Sequence, residues 1–202
     1  MLPVLLVHGI WDTGAKLAHI AHALEQSGAP RAESISLTPN DGSAALTDLA
    51  RQVATEAEKL GPKIDLVGFS MGALISRIYL QRLGGRDRVR RFVSIAGPHA
   101  GTLWARFAKP ELLGVRDMRP GSALLRDLAS DADPFGHVEV HTIWTPFDLM
   151  IVPPSSSRLA TAKSERRIRI GMHRWVVNDA RTIAHVLASL RTLTNASGTI
   201  RV

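Results

Sequence analysis

Short apolar runs alternate along this chain with longer stretches in which apolar residues recur every three or four positions. Val4 to Val7 is the first short run, and Glu33 to Leu37, Ile64 to Gly68, Arg91 to Ile95, Val138 to Trp144 and Arg166 to Ile170 follow it. Brief β-branched runs separated by helical patterns predict a mostly parallel sheet of about six strands, with helices on both faces. The helical spacing covers Ala15 to Gln26, Ala44 to Leu60 and Met71 to Leu83, with stop signals at Gly28, Gly61 and Gly84-Gly85. Asn178 is placed to cap a last helix running through Leu190, and Asn195 to Gly198 reads as a fraying tail. The expected fold class is α/β.

The stretch from Gly97 to Gly136 breaks this rhythm. It is long for one connection and carries Trp104, Phe107, Leu112, Leu113, Leu124, Leu125 and Phe135. Loops of that size are usually functional or contain helices of their own. Two readings stay open: a lid or acyl-binding insertion, or ordinary connecting helix covering the sheet. No internal repeat is visible, and 202 residues fit a single domain spanning 1–202.

Composition narrows the function classes. With 45% hydrophobic and 21% charged residues, the chain is no disordered polyelectrolyte. The apolar opening is interrupted by His8, Gly9 and Asp12, too early for a membrane span or a secretory signal core. Unless a leader was removed, the cytoplasm is the default location. The absence of Cys excludes a disulfide framework, a thiolate zinc site and a cysteine nucleophile.

The formal charge of +7 includes a cluster at Arg82, Arg86, Arg88, Arg90 and Arg91. Such a cluster suits transient contact with an anionic membrane surface, although a solvated helix end is its commoner use. A second group, Arg158, Lys163, Arg166, Arg167 and Arg169, lacks the interleaved aromatics of a nucleic-acid platform, so no nucleic acid is expected as a partner. A monomer is expected.

The strongest chemical signal is Gly68-Phe69-Ser70-Met71-Gly72, which joins the apolar run Ile64 to Val67 to a helical segment. Small residues flanking a Ser at a sharp strand-to-helix turn are what a nucleophile elbow requires, because the strained turn brings backbone and side chains close together. A serine hydroxyl needs a base to take its proton, and an imidazole serves best when a carboxylate holds its other nitrogen. Asp148 and His173 each lie just beyond a predicted strand, where ligand and catalytic groups gather in open α/β sheets. Ser70, Asp148 and His173 therefore form the candidate triad, in the order Ser, Asp, His. Asp117 and Asp133 follow no obvious strand, and His185 sits within the last helical pattern, so all three are weaker candidates. Backbone amides of Ile10, in the His8-Gly9-Ile10 turn, and of Met71, after the nucleophile, are the expected oxyanion donors.

With these pieces in view, the chain resembles the compact bacterial lipases and the lipase-like, GPI inositol-deacylase-like branch of the α/β-hydrolase family. The resemblance rests on Pro3 to Ile10, the Ser70 elbow, Val93 to Thr102, Asp148 with Ile151-Val152-Pro153, and Gly171-Met172-His173. It implies hydrolysis of small-molecule or lipid carboxylic esters through an acyl-enzyme, with Ser70 as nucleophile, His173 as acid and base, Asp148 as its orienter, and neither metal nor cofactor. Phe69 stands where lipases often carry His. Acyl transfer to an alcohol by the same residues is the alternative, and a noncatalytic binding protein on this fold is a more remote one.

Overall fold

The computed structural model describes residues 1–191, so the tail expected at 195–198 lies outside the described residues. Six strands form one sheet: β1 (Val4–Val7), β2 (Ala32–Ile35), β3 (Ile64–Phe69), β4 (Val89–Ile95), β5 (Glu139–Trp144) and β6 (Ser164–Arg167). Their order is β2-β1-β3-β4-β5-β6, and every neighbouring pair is parallel. The helices are α1 (Ala18–Gln26), α2 (Leu46–Leu60), α3 (Met71–Arg82), α4 (Gly85–Arg88), α5 (Leu113–Asp117), α6 (Ala123–Ala129) and α7 (Ala180–Leu190).

Alternate strand residues feed two separate cores, because successive side chains leave opposite faces of a sheet. Leu5, Val7, Leu66 and Phe92 pack with Leu49 and Val53 of α2 and with Leu74 and Ile78 of α3. Val4, Leu6, Val67, Val93 and Ile95 pack with Ile20 and Leu24 of α1 and Val186 and Leu190 of α7. With both faces covered, the central strands have no solvent side, which is why they read as unbroken apolar runs. The chain winds outward from β1 to β2, then returns to place β3 on the other side of β1. That reversal opens a crevice beyond the carboxyl ends of β1 and β3.

Several boundaries differ from the sequence expectation. The run from Ala15 begins with a 3-10 turn at Gly14–Leu17 before α1 proper. β6 stops at Arg167, since Ile168 already turns inward and its amide bonds Trp144 O outside the ladder. The α7 cap is Asp179, whose side chain accepts from the Arg181 amide; Asn178 ends the 3-10 turn His173–Asn178 instead. The stretch from 97 to 136 contains a 3-10 turn at Leu103–Phe107 together with α5 and α6.

The first basic cluster is largely consumed by the fold. Arg82 pairs with Asp127 and Asp131, Arg90 with buried Asp65, and Arg91 with Glu139, while Arg88 donates to Gly61 O and Arg86 to Asp133 O. These partners come from other elements, which local sequence could not reveal.

Burial lowers the pKa of His8, His99, His141 and His185 below the ordinary imidazole value, and that of His99 well below it. The folded chain keeps these rings neutral, whereas the unfolded chain protonates them once the pH drops below about 6.5. Their contribution is therefore fully present above that value and is lost as pH falls from it through the lower folded values. The unfolding free energy from urea titrations should decline as the pH falls below about 6.5, with a slope of at most about 1.4 kcal/mol per pH unit for each histidine held neutral. A flat profile would contradict neutral burial.

Candidate active site

Ser70 occupies a backbone position that only tertiary contacts can hold. Its φ of 54° and ψ of −127° lie in a region L-residues rarely visit, between the end of β3 and the start of α3. The turn is held by the Ser70 amide donating to Ile95 O at 2.8 Å and by Ser70 O accepting from the Ala73 amide at 3.0 Å. Glycine is required on both sides. A Cβ on Gly68 would lie 2.6 Å from Ala73 Cα, and one on Gly72 would lie 2.3 Å from the carbonyl oxygens of both Val7 and His8. The first turn of α3 thus presses directly on the end of β1.

This close approach brings the turn after β1 to the serine. A Cβ on Gly9 would stand 3.0 Å from Ser70 Cβ, and Ile10 borders the same cleft as Ser70. His8 sets the turn from beneath: its Nδ1–H donates to Gly9 O at 2.7 Å, and its Nε2 accepts from the Leu37 amide at 2.9 Å. Asn40 braces it from the side, accepting from the Trp11 amide at 2.9 Å and donating its side-chain amide to Asp12 O. Neither the Ile10 nor the Met71 amide donates to a protein group among the described residues, and Met71 opens α3 at the positive end of its dipole.

The three side chains predicted to act together meet. Ser70 Oγ donates to His173 Nε2 at 2.8 Å, and His173 Nδ1–H donates to Asp148 Oδ2 at 2.7 Å. The Asp148 carboxylate is buried, and its other oxygen accepts from the Met150 and Ile151 amides, both at 2.9 Å. That set of bonds fixes the carboxylate, which fixes the imidazole tautomer, which leaves Nε2 free to accept the serine proton. His173 lies at the start of a 3-10 turn, six residues beyond β6 rather than directly at its end. Phe69 stacks on the imidazole with ring centroids 5.0 Å apart, so the departure at this position places an aromatic face behind His173.

Residues outside the predicted set hold these loops in register. Thr145 Oγ1 donates to Ile170 O at 2.7 Å, tying the Asp148 turn to the His173 turn. Thr102 Oγ1 donates to Met150 O and accepts from the Val152 amide, and Trp104 Nε1 donates to Leu149 O. Buried Arg77 of α3 donates to His99 O at 3.1 Å and Leu128 O at 2.8 Å, fastening both ends of the 97–129 stretch to the helix that follows Ser70; burial pushes its guanidinium down to about 10. Side-chain to backbone bonds of this kind carry no sequence pattern, and only the His8-Gly9 dipeptide offered a local hint.

The weaker candidates lie elsewhere. Asp117 accepts from the Leu46 amide and anchors α5 to α2, Asp133 accepts from Gly136 N in an exposed turn, and His185 is half-buried on α7 near Arg166. Among the described residues, no group of three His, Cys, Asp or Glu side chains comes together as a metal site requires.

Above the triad opens a cleft of about 690 Å³, bounded by Trp11, Phe69, Trp104, Phe107, Val115, Met118, Leu149 and Met172 among others. Much of its wall comes from the stretch between Thr102 and Met118.

Comparison with solved structures places the architecture among α/β-hydrolases. The chain superposes on Aspergillus fumigatus lipase B with a TM-score of 0.78 at 17% identity, covering 92% of this chain and 51% of that one. This chain therefore spans about half the length of that lipase. The mature form of Bacillus licheniformis lipase BlEst2 gives 0.70 at 17% identity over 94% and 92% of the two chains. A Paleococcus ferrophilus monoacylglycerol lipase gives 0.70 at 15% identity over 93% and 96%. No curated protein matches significantly in sequence. The palmitoyl protein thioesterase family matches residues 3–129, more than half of the 202 residues and inclusive of the β1 turn, the Ser70 elbow and most of the cleft wall. The chain belongs to the palmitoyl protein thioesterase family.

Proposed function

We propose that this protein is a serine hydrolase that cleaves acyl esters or thioesters through an acyl-enzyme on Ser70. The observation that carries the reading is the unbroken relay from Asp148 through His173 to Ser70 at the floor of an apolar cleft. His173 takes the Ser70 proton as Oγ attacks the acyl carbonyl, and Asp148 stabilises the imidazolium that forms. The Ile10 and Met71 amides receive the developing oxyanion, a role in which one donor is worth on the order of 3 kcal/mol. His173 then protonates the leaving alcohol or thiol, and a water molecule activated by the same ring releases the acid. The wall between Thr102 and Met118 holds the acyl chain; its volume is typical of a small-molecule site.

Family membership widens the expectation from oxygen esters to thioesters, since the family is named for thioester cleavage. Paired assays on p-nitrophenyl esters and acyl thioesters of matched chain length measure the preference directly. A fluorophosphonate probe tests the site: we expect one adduct, at Ser70, whose formation slows by a factor on the order of 1,000 or more in His173→Ala. Labelling that is indifferent to His173 would sink the proposed relay.

A further inference from the structure

Ten large hydrophobic side chains are well exposed among the described residues, and all sit on stretches that frame the cleft: at Trp11, between 103 and 113, between 147 and 150, and between 172 and 175. Scattered apolar residues on a surface need no explanation, but an exposed apolar collar around one opening does. Phe107 is 82% exposed, Trp11 67%, Trp175 58% and Trp104 57%. The indole N–H of Trp104 is bonded to Leu149 O at 2.6 Å, and its ring lies 6.3 Å from that of Phe107, so two aromatic faces stand outward with their polar needs met.

The same stretches carry unpaired positive charge. Lys16 and Arg174 border the cleft, and Arg106 and Lys109 lie beside Phe107; none of the four is paired with a carboxylate among the described residues. The acids left facing solvent on these stretches are fewer, two against four. Asp12 borders the cleft and Glu111 is exposed beside Leu112, whereas Asp117 accepts from the Leu46 amide and Asp148 is buried in the site. In contrast, the Arg82 to Arg91 cluster is engaged with partners of its own fold and has no exposed aromatic collar beside it.

We propose that the collar docks on an anionic lipid surface, with the aromatic rings entering the boundary between headgroups and acyl chains and the flanking cations meeting the headgroups, so that the cleft opens onto the lipid. Amphipathic aromatics with long cationic side chains at their edge are suited to that boundary. Docking needs no turnover, and the Ser70→Ala protein is therefore the one to use; its binding succeeds or fails independently of the acyl-enzyme reading.

The chain supplies its own probe, since three of its four tryptophans stand on the collar and the fourth, Trp144, is half-buried beneath Arg158. Titration with phosphatidylglycerol vesicles should shift the emission to the blue, with partitioning at least about fivefold tighter than to phosphatidylcholine vesicles and weakened by salt. Leu113→Gln combined with Trp175→Gln should lower the partition coefficient roughly tenfold. Arg167→Gln, on the exposed edge strand β6, should leave it unchanged. The proposal is overturned by the absence of a spectral shift, by equal affinity for both lipids, or by loss of binding in Arg167→Gln alone. It is equally overturned if the shift occurs without lipid and sedimentation shows a dimer, because a second copy would then be the occupant.

Discussion

Replacing Ser70 with alanine should reduce kcat on acyl esters by a factor on the order of 10⁵ to 10⁶ while leaving the fold intact. The size of the loss follows from the relay. Without Oγ there is no acyl-enzyme, and the cleft and the Ile10 and Met71 amides can only assist attack by water. Stability should move by no more than about 0.5 kcal/mol, since the hydroxyl bonds only to His173 and the backbone bonds of the turn do not involve it. Asp148→Asn makes the complementary test. An amide there can still accept from Met150 and Ile151 through its oxygen, but its NH2 then faces His173 Nδ1. The imidazole is driven to the wrong tautomer, with Nε2–H pointing at Ser70, and kcat should fall by about 10⁴. Steady-state kinetics alongside thermal unfolding would distinguish these outcomes from simple misfolding. A Ser70→Ala protein within tenfold of the parent would falsify the acyl-enzyme assignment.

Gly72→Ala should be nearly as damaging to the molecule as Ser70→Ala is to its chemistry, by a different route. The added methyl would sit 2.3 Å from two backbone carbonyl oxygens at the end of β1, and backbone cannot rotate away as a flexible side chain could. Helix α3 must back off from β1, opening the core it shares with α2 and separating Met71 from the Gly9 to Ile10 turn. We expect a loss on the order of 4 kcal/mol, equivalent to a fall in Tm of roughly 10 °C for a domain of this size, with activity lost ahead of the fold. Gly171→Ala is the control for stability: nothing lies within 4 Å of its would-be Cβ and its backbone is unstrained, so Tm should hold. A Gly72→Ala protein as stable as the control would mean that the contact between α3 and β1 is looser than described.

Both experiments probe one arrangement, in which a strained serine is pinned between β3, α3 and the turn after β1. The Ser70 turn stores conformational strain that is offset by the two cores on either side of the sheet. Phe69 belongs to one of those cores and also stacks on His173, so the core packing extends directly to the imidazole.

How much of this was legible in one dimension depends on the range of the forces involved. The strands and the main helices were readable because burial on both faces of a sheet, or on one face of a helix, imposes an apolar period that survives in the linear order. The Gly-x-Ser-x-Gly turn was readable because its backbone tolerates no Cβ at Gly68 or Gly72, and Asp148 and His173 because loops at the carboxyl ends of strands converge. Tertiary structure alone decided the rest. It extended the chain six residues past β6 before His173, capped α7 with Asp179, engaged the first basic cluster within the fold, and recruited Asn40, Arg77, Thr102 and Thr145 to hold the loops. It also gathered the exposed aromatics at one opening. These contacts join residues far apart in the chain, where a side chain meets whichever backbone group the fold brings to it, and such meetings leave no period or spacing in the sequence.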